Sequence, residues 1–292
     1  MDRRGNAIRI LIVGVDGNIG GALARYLRER GDEVYGTSRR LGRAIDPYTL
    51  TFDLSRPSSS EFELPDVDVA VFCAAMARFK DCREQPAAAM QINVTSPVEL
   101  ATRVASRGGR AIVLSTSAVF DSTEPQMSPD AATCPVTEYG ELKAAAEQGF
   151  LALGSSAAVF RLTKVIEKRM RLFADWRNEW QLGGRVSAFN DHFLSPISLN
   201  QVVEALAYVI SSETSGVVQI SGEADVSYAD VARHLAEHWM IHPSKVVPIC
   251  AREYGIPSNE VLTHTTLDAT RLRALTGFQP PNPYELLDKI FA

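Results

Sequence analysis

Along roughly the first 165 positions, short unbroken apolar runs alternate with segments whose apolar residues recur at helical spacing. Ile10-Leu11-Ile12-Val13 is followed by Ile19, Leu23, Tyr26 and Leu27, three to four positions apart through Glu29, and Gly31-Asp32 then breaks the pattern before Glu33 to Gly36. This spacing predicts a strand, a helix and a second strand. Further strands are predicted over Leu50 to Leu54, Val67 to Ala75, Ala111 to Ser115 and Ala157 to Leu162, with helices over Pro86 to Arg107 and Glu138 to Leu153. Strands that are apolar throughout, separated by helices, predict an α/β fold whose parallel sheet is covered on both faces.

After about Arg161 the rhythm becomes mixed. A Trp- and Arg-rich stretch runs from Lys168 to Leu182, Gly183-Gly184 interrupts it, a helix is expected over Leu199 to Ser211, and Pro280-Pro281 precede a short terminal helix from Tyr284 to Phe291. The expected division is a sheet domain over 1–165, to which 196–215 return, and a smaller substrate-binding cap over 166–292. There is no internal repeat, and the brief Ser58-Ser59-Ser60 tract reads as a turn.

With 292 residues and 46% apolar content, the chain can bury a large core. A net charge of −5 with no run of like charge gives no footprint for nucleic acid or a membrane surface. A small-molecule partner is expected. Cys73, Cys82, Cys134 and Cys250 show neither a CxxC pair nor zinc-ligand spacing, which suggests reduced thiols and a cytoplasmic location. The apolar run Ile8 to Val13 is too brief for a secretory signal or a membrane span.

Candidate chemistry begins at Gly14-x-x-Gly17-x-x-Gly20, directly after the first strand. A glycine turn opening a helix, here through Asn18 and Ile19, lets backbone approach a pyrophosphate while the helix N-terminus offers free N–H groups. The bland alternative is a structural tight turn. The context predicts a Rossmann-type, doubly wound nucleotide-binding sheet. Where an NAD site carries an acidic residue after the second strand, this chain has Thr37-Ser38-Arg39-Arg40. Two guanidiniums with no carboxylate there favour a 2′-phosphate, so NADP is expected over NAD; the alternative is that Arg39 and Arg40 are solvated surface charges. Asp53 and Leu54 close the third strand, Asp53 as a candidate acceptor for the adenine amino group, and the small residues Cys73-Ala74-Ala75 close the fourth.

The second motif is Tyr139-x-x-x-Lys143. Eight tyrosines and six lysines make a chance match common, so its helical context must carry it. Residues four apart share a helix face, so Lys143 can stand beside Tyr139, lower its phenol pKa and hold a nicotinamide ribose. Ser115-Thr116-Ser117-Ala118-Val119-Phe120 follows a predicted strand at the end where ligands gather, and Thr116 can orient a carbonyl.

Taken together, Thr116, Tyr139 and Lys143 resemble the triad of the extended short-chain dehydrogenase/reductases. Within them, Ser115-Thr116-x-x-Val119-Phe120-Asp121, Tyr139-Gly140-x-x-Lys143 with Glu147, Ser195-Pro196-Ile197-Ser198 and Leu267-Asp268-x-x-Arg271-Leu272 resemble the dTDP-4-dehydrorhamnose reductases. The resemblance implies an NADP(H)-dependent reductase of a nucleotide-linked keto-sugar, and dimerisation through helices such as Pro86 to Arg107 and Glu138 to Leu153. Ser117-Ala118 depart from the Asp-Glu of 4,6-dehydratases and from the cysteine that GDP-fucose synthases place opposite Ala118, so neither dehydration nor that epimerisation is implied. A 4-epimerase with a retained cofactor stays open, as does a non-catalytic cofactor sensor, since a regulatory subunit of methionine adenosyltransferase is related to these reductases.

Three further groups have competing readings. His234, His238 and His242 fall four apart, as ligands of a metal or as a polar helix face, but no HExxH is present. Trp176 and Trp180, near Arg169, Arg171 and Arg177, either pack a helix or wall a nucleotide site. His192, in the loop before Ser195-Pro196, could reach a substrate or be an ordinary loop residue.

Overall fold

The computed structural model describes residues 7–40, 48–56 and 62–292; the Ser58-Ser59-Ser60 turn lies outside them. In chain order its elements are β1 Arg9–Val13, α1 Asn18–Glu29, β2 Glu33–Ser38, β3 Thr49–Thr51, β4 Val69–Phe72, α2 Phe79–Glu84, α3 Pro86–Met90, α4 Ser96–Ser106, β5 Arg110–Thr116, α5 Glu138–Leu151 and β6 Ala157–Leu162. There follow β7 Lys164–Ile166, α6 Arg171–Gln181, β8 Val186–Phe189, β9 Phe193–Leu194, β10 Pro196–Ser198, α7 Leu199–Ser211, β11 Gly216–Ile220, β12 Val226–Ser227, α8 Tyr228–His238, β13 Val246–Ile249, α9 Thr270–Thr276 and α10 Pro283–Phe291.

Seven strands form one parallel sheet in the order β11-β6-β5-β4-β1-β2-β3. Ile10, Ile12, Val71, Ile112 and Phe160 point to one face, where α1 and α7 cover them; Leu11, Val13, Ala70, Val113 and Val159 point to the other, against α4 and α5. This is the doubly wound arrangement the unbroken apolar strands predict. A separate apolar cluster joins α6, β8, α8, β13 and α10 around Trp176, Trp180, Leu235 and Phe291. Among the described residues no helix is long and apolar enough to cross a membrane.

Three expectations need correction. The helix expected over Pro86 to Arg107 is broken by a π-helical turn over Gln91–Thr95. There Asn93 turns inward, its amide donating to the Met76 carbonyl at 3.0 Å and accepting from the Met76 N–H at 2.9 Å, and Pro97 cannot donate a helical hydrogen bond. The return to the sheet does not stop at 215, because β11 adds as its edge strand and Leu272 of α9 joins its core. Finally, the predicted strand over Leu50 to Leu54 stops at Thr51, since Asp53 accepts from the N–H and hydroxyl of Ser55 and curls the backbone into a turn.

Candidate active site

A parallel sheet places all of its strand ends on one edge. The registers Val13 with Thr37, Val13 with Phe72, Phe72 with Val113 and Thr116 with Leu162 put Gly14, Ser38, Cys73, Thr116 and Thr163 there together. This is where open α/β sheets bind ligands.

The glycine turn fits a dinucleotide. Gly14 sits at φ +97°, and a Cβ there would lie 2.6 Å from Ala74 Cβ and 2.9 Å from Ala74 N. At Gly20 a Cβ would come within 2.3 Å of the Gly14 carbonyl oxygen, whereas at Gly17 nothing stands closer than 3.5 Å. The first and third glycines thus close the turn onto β4 and α1, and the second leaves open space. Gly17 also opens α1 with no side chain capping the helix and no acidic residue in its first turn, so its N–H groups and partial positive charge suit a diphosphate. Ile19 packs inward, and the Asn18 amide donates to Glu167. Ala74 donates its N–H to the Val13 carbonyl at 2.9 Å, and Ala75 is exposed beyond it.

At the end of β2 the expectation of a carboxylate-free phosphate site is corrected. The Ser38 hydroxyl donates to Asp16 Oδ2 at 2.5 Å and accepts the Arg40 N–H, and the Arg40 guanidinium stands 4.0 Å from the same carboxylate. The tight turn folds Asp16 back over the strand end, so the basic pair shares its surface with one negative charge. Arg39 and Arg40 are both exposed. Asp53 lies nearby, engaged with Ser55, while Leu54 is buried in the core with its carbonyl accepting from Ser96.

Thr116 ends β5, its hydroxyl accepting from the Ala118 N–H at 3.2 Å. Helix α5 starts against that loop: Thr137 caps it by accepting from the Gly140 N–H at 3.1 Å, and a Cβ on Gly140 would lie 2.1 Å from the Ala118 carbonyl oxygen. Only glycine allows this approach, which seats the first turn of α5, carrying Tyr139, against the loop that follows Thr116. The Tyr139 ring packs on Phe79 with centroids 5.9 Å apart.

Lys143, one turn later, is 3% exposed. Burial lowers its ammonium to about 8, opposed by the charge of Glu147 and the neighbouring Cys73 thiol. Glu147 in turn holds Arg161 at 2.7 Å with both side chains buried, and Arg161 also donates to Gln219 and lies over the Phe120 ring. Burial pushes the Cys73 thiol up to about 12, so it stays protonated. The expected lowering of Tyr139 by Lys143 is not what the structure has. Burial and Cys82 instead raise the phenol above its ordinary value, which keeps it a proton donor at neutral pH.

Beside Thr116 opens a cavity of about 470 Å³. Arg78 lines it from the loop after β4 and Phe79 and Lys80 from the start of α2, Thr163 and Lys164 from the junction of β6 and β7, and His192, Tyr228, Glu260, Leu262 and Thr265 from the C-terminal half. Most of these lie outside the motifs read from the sequence. Glu260 pairs with Arg83, and Ser122, at φ +65°, bonds Thr263 and His264, so the segment carrying Glu260, Leu262 and Thr265 is tied to the loop after β5. Thr163 has a buried hydroxyl with no hydrogen-bond partner, as does Ser115. The one available signal was position, since Thr163 and Lys164 follow the last predicted strand of the sheet domain.

The three histidines do not share a helix. Met240, at φ +57°, ends α8, with Ile241 N–H bonding back to Ala236; His234 and His238 face one oxygen of Asp288 at 2.8 and 3.2 Å, and His242 caps the next turn. Among the described residues no group of three or more ligands could hold a metal. Trp176 and Trp180 are buried in the second apolar cluster, away from the cavity. The Leu267 to Leu272 motif is structural: Arg271 donates to the carbonyls of Ser215 and Val217, and Leu272 enters the core. Ser195 is likewise fully buried, against Ser221.

Known proteins resemble this chain along nearly its whole length. The chain is 29% identical over 285 residues to a dTDP-4-dehydrorhamnose reductase of Mycobacterium tuberculosis, covering 94% of this chain and 90% of that one. A dTDP-4-dehydrorhamnose reductase of Burkholderia thailandensis is 26% identical over 291 residues, covering 89% and 92%. The crystal structure of a dTDP-4-dehydrorhamnose reductase from Bacillus anthracis in complex with NADP superposes with a TM-score of 0.83 at 19% identity, over 98% of this chain and 99% of that one. The family model described as the RmlD substrate binding domain matches residues 8–292, and the chain belongs to that family.

Proposed function

We propose that this protein reduces the 4-keto group of a nucleotide-linked deoxysugar at the expense of NADP(H). The observation that carries this reading is the convergence of Thr116, the Tyr139–Lys143 helix and an open glycine turn on one sheet edge, beside a cavity lined by Arg78, Lys80 and Lys164. Three cations suit the diphosphate of a nucleotide-sugar. The names of the full-length relatives point to the same substrate class.

A bound nicotinamide supplies the hydride that adds to the ketone carbon. Thr116 orients the carbonyl oxygen, Tyr139 donates its phenolic proton to that oxygen, and Lys143 holds positive charge beside the phenolate left behind. The glycine turn and the α1 N-terminus would hold the diphosphate of the cofactor, with Ser38, Arg39 and Arg40 at its 2′-phosphate. In this reading 1–165 with the returning segments bind the dinucleotide, 166–292 shape the substrate site, and the protein works as a cytoplasmic homodimer.

NADPH oxidation by the wild type and Tyr139→Phe, against a panel of nucleotide-linked 4-keto-6-deoxysugars and simpler ketones, tests the proposal. Loss of the proton donor is expected to slow turnover roughly 10²–10⁴-fold. Undiminished turnover in the variant would exclude the role of Tyr139. Asp16, set against the 2′-phosphate position, favours one second reading, a 4-epimerase that retains NAD. Protein that purifies with bound NAD and interconverts sugar epimers without consuming NADPH would establish that reading instead.

A further inference from the structure

His192, a loop residue, is held in the cavity wall by contacts on its ring and its backbone. Its Nδ1 accepts the Leu262 backbone N–H at 3.0 Å, and the Phe193 N–H donates to the Leu262 carbonyl at 2.8 Å, so one residue of the C-terminal segment grips both sides of the loop. The imidazole stacks on Tyr228 at 5.3 Å and 16°, and the edge of Phe189 closes on it at 6.3 Å. The Tyr228 N–H holds the His192 carbonyl at 3.2 Å.

This arrangement decides the tautomer. A nitrogen that accepts a backbone N–H carries no proton of its own, so in the neutral ring the proton sits on Nε2. Burial and the neighbouring Lys164 lower the imidazole's pKa against the pull of Asp191, which keeps it neutral at physiological pH. Nε2–H is then a fixed, uncharged donor on a residue that lines the same cavity as Thr116 and the unpartnered Thr163 hydroxyl. Arg78, Lys80 and Lys164, all exposed, provide for a charged diphosphate at the rim. A neutral donor is suited to an uncharged oxygen.

We infer that His192 is a substrate-positioning residue, donating from Nε2 to an oxygen of the sugar and holding the keto carbon in place against Thr116. The inference rests on the reductase reading and names one determinant of sugar binding within it.

The test uses two amides that each reproduce one ring nitrogen. His192→Asn can still accept from the Leu262 N–H but does not reach the Nε2 position, whereas His192→Gln places an amide N–H there. With the keto-sugar nucleotide that the wild type reduces best, His192→Asn should raise KM about 5- to 10-fold with kcat within about twofold, the size of one lost hydrogen bond to a neutral donor. His192→Gln should stay within about twofold of the wild type. Binding of the nucleoside diphosphate alone, measured by calorimetry, should be the same in all three proteins, and thermal unfolding of His192→Asn should match the wild type. Unchanged KM in His192→Asn, equal losses in both variants, or a matching loss of nucleoside diphosphate affinity would each overturn the role. A wild-type protein that reduces no keto-sugar nucleotide would overturn the reductase reading itself, and this inference with it; normal wild-type turnover with a silent His192→Asn overturns His192 alone.

Discussion

Replacing Glu147 by alanine should cost far more than its distance from the reacting atoms suggests. Glu147 and Arg161 are 2% and 3% exposed, with Arg161 Nε 3.0 Å from Oε1 and Nη2 2.7 Å from Oε2. Removing the carboxylate leaves a guanidinium in the core that, among the described residues, keeps Gln219 at 3.1 Å, the Pro129 carbonyl at 3.4 Å and the Phe120 ring. Breaking a buried pair from one side costs about 3–5 kcal/mol, because the surviving charge remains desolvated. Against a total stability of roughly 5–15 kcal/mol this is a large share. On the scale of a 150–250-residue domain it lowers Tm by roughly 6–20 °C.

The assay is equilibrium unfolding in urea of the wild type, Glu147→Ala, Arg161→Met and the double variant. The double variant should recover most of the loss, since apolar side chains can replace a buried ion pair at little cost. A single-variant loss below about 1 kcal/mol, the range of exposed pairs, would refute the argument. So would strict additivity of the two single losses.

Other outcomes follow from the same geometry. Lys143 titrates near 8 in the folded chain against 10.5 when free, so between those values the unfolded chain binds more protons and stability rises with pH by up to about 1.4 kcal/mol per unit. Lys143→Met should remove that rise, and a difference between the two proteins that stays flat from pH 7.5 to 10.5 would contradict the assignment. Gly14→Ala combines left-handed backbone with a contact 2.6 Å from Ala74 Cβ, and should cost roughly 2–5 kcal/mol by urea unfolding. Adding Ala74→Gly should recover only the Cβ contact, since the Ala74 backbone N at 2.9 Å and the left-handed backbone strain both remain. Asp16→Asn removes a negative charge beside Ser38 and Arg40, and should shift the ratio of NADH to NADPH dissociation constants two- to fivefold toward NADPH at low salt. A shift toward NADH would show that Asp16 orders Arg40 rather than opposing the phosphate.

Much of the sheet was legible because its signals are local. The apolar runs of β1, β5 and β6, the glycines at 14, 17 and 20, and the four-residue spacing of Tyr139 and Lys143 each need only a few neighbouring residues to be read. Asn93 was missed because nothing in its own segment shows that it reaches back 17 positions to Met76. Asp16 was missed for the same kind of reason, since its partners are 22 and 24 positions away.

The sequence by itself determined the α/β order, the glycine turn and the candidate proton donor, since periodicity and short spacings act within a single strand or helix. Only the tertiary structure decided that Lys143 is buried beside Glu147, that Leu262 holds the tautomer of His192 across 70 positions, and that the tryptophans serve a core instead of a ligand. Those facts depend on which surfaces meet once the chain closes. Desolvation and long-range hydrogen bonds exist only after that closure, and they set the charge and proton states on which the chemistry runs.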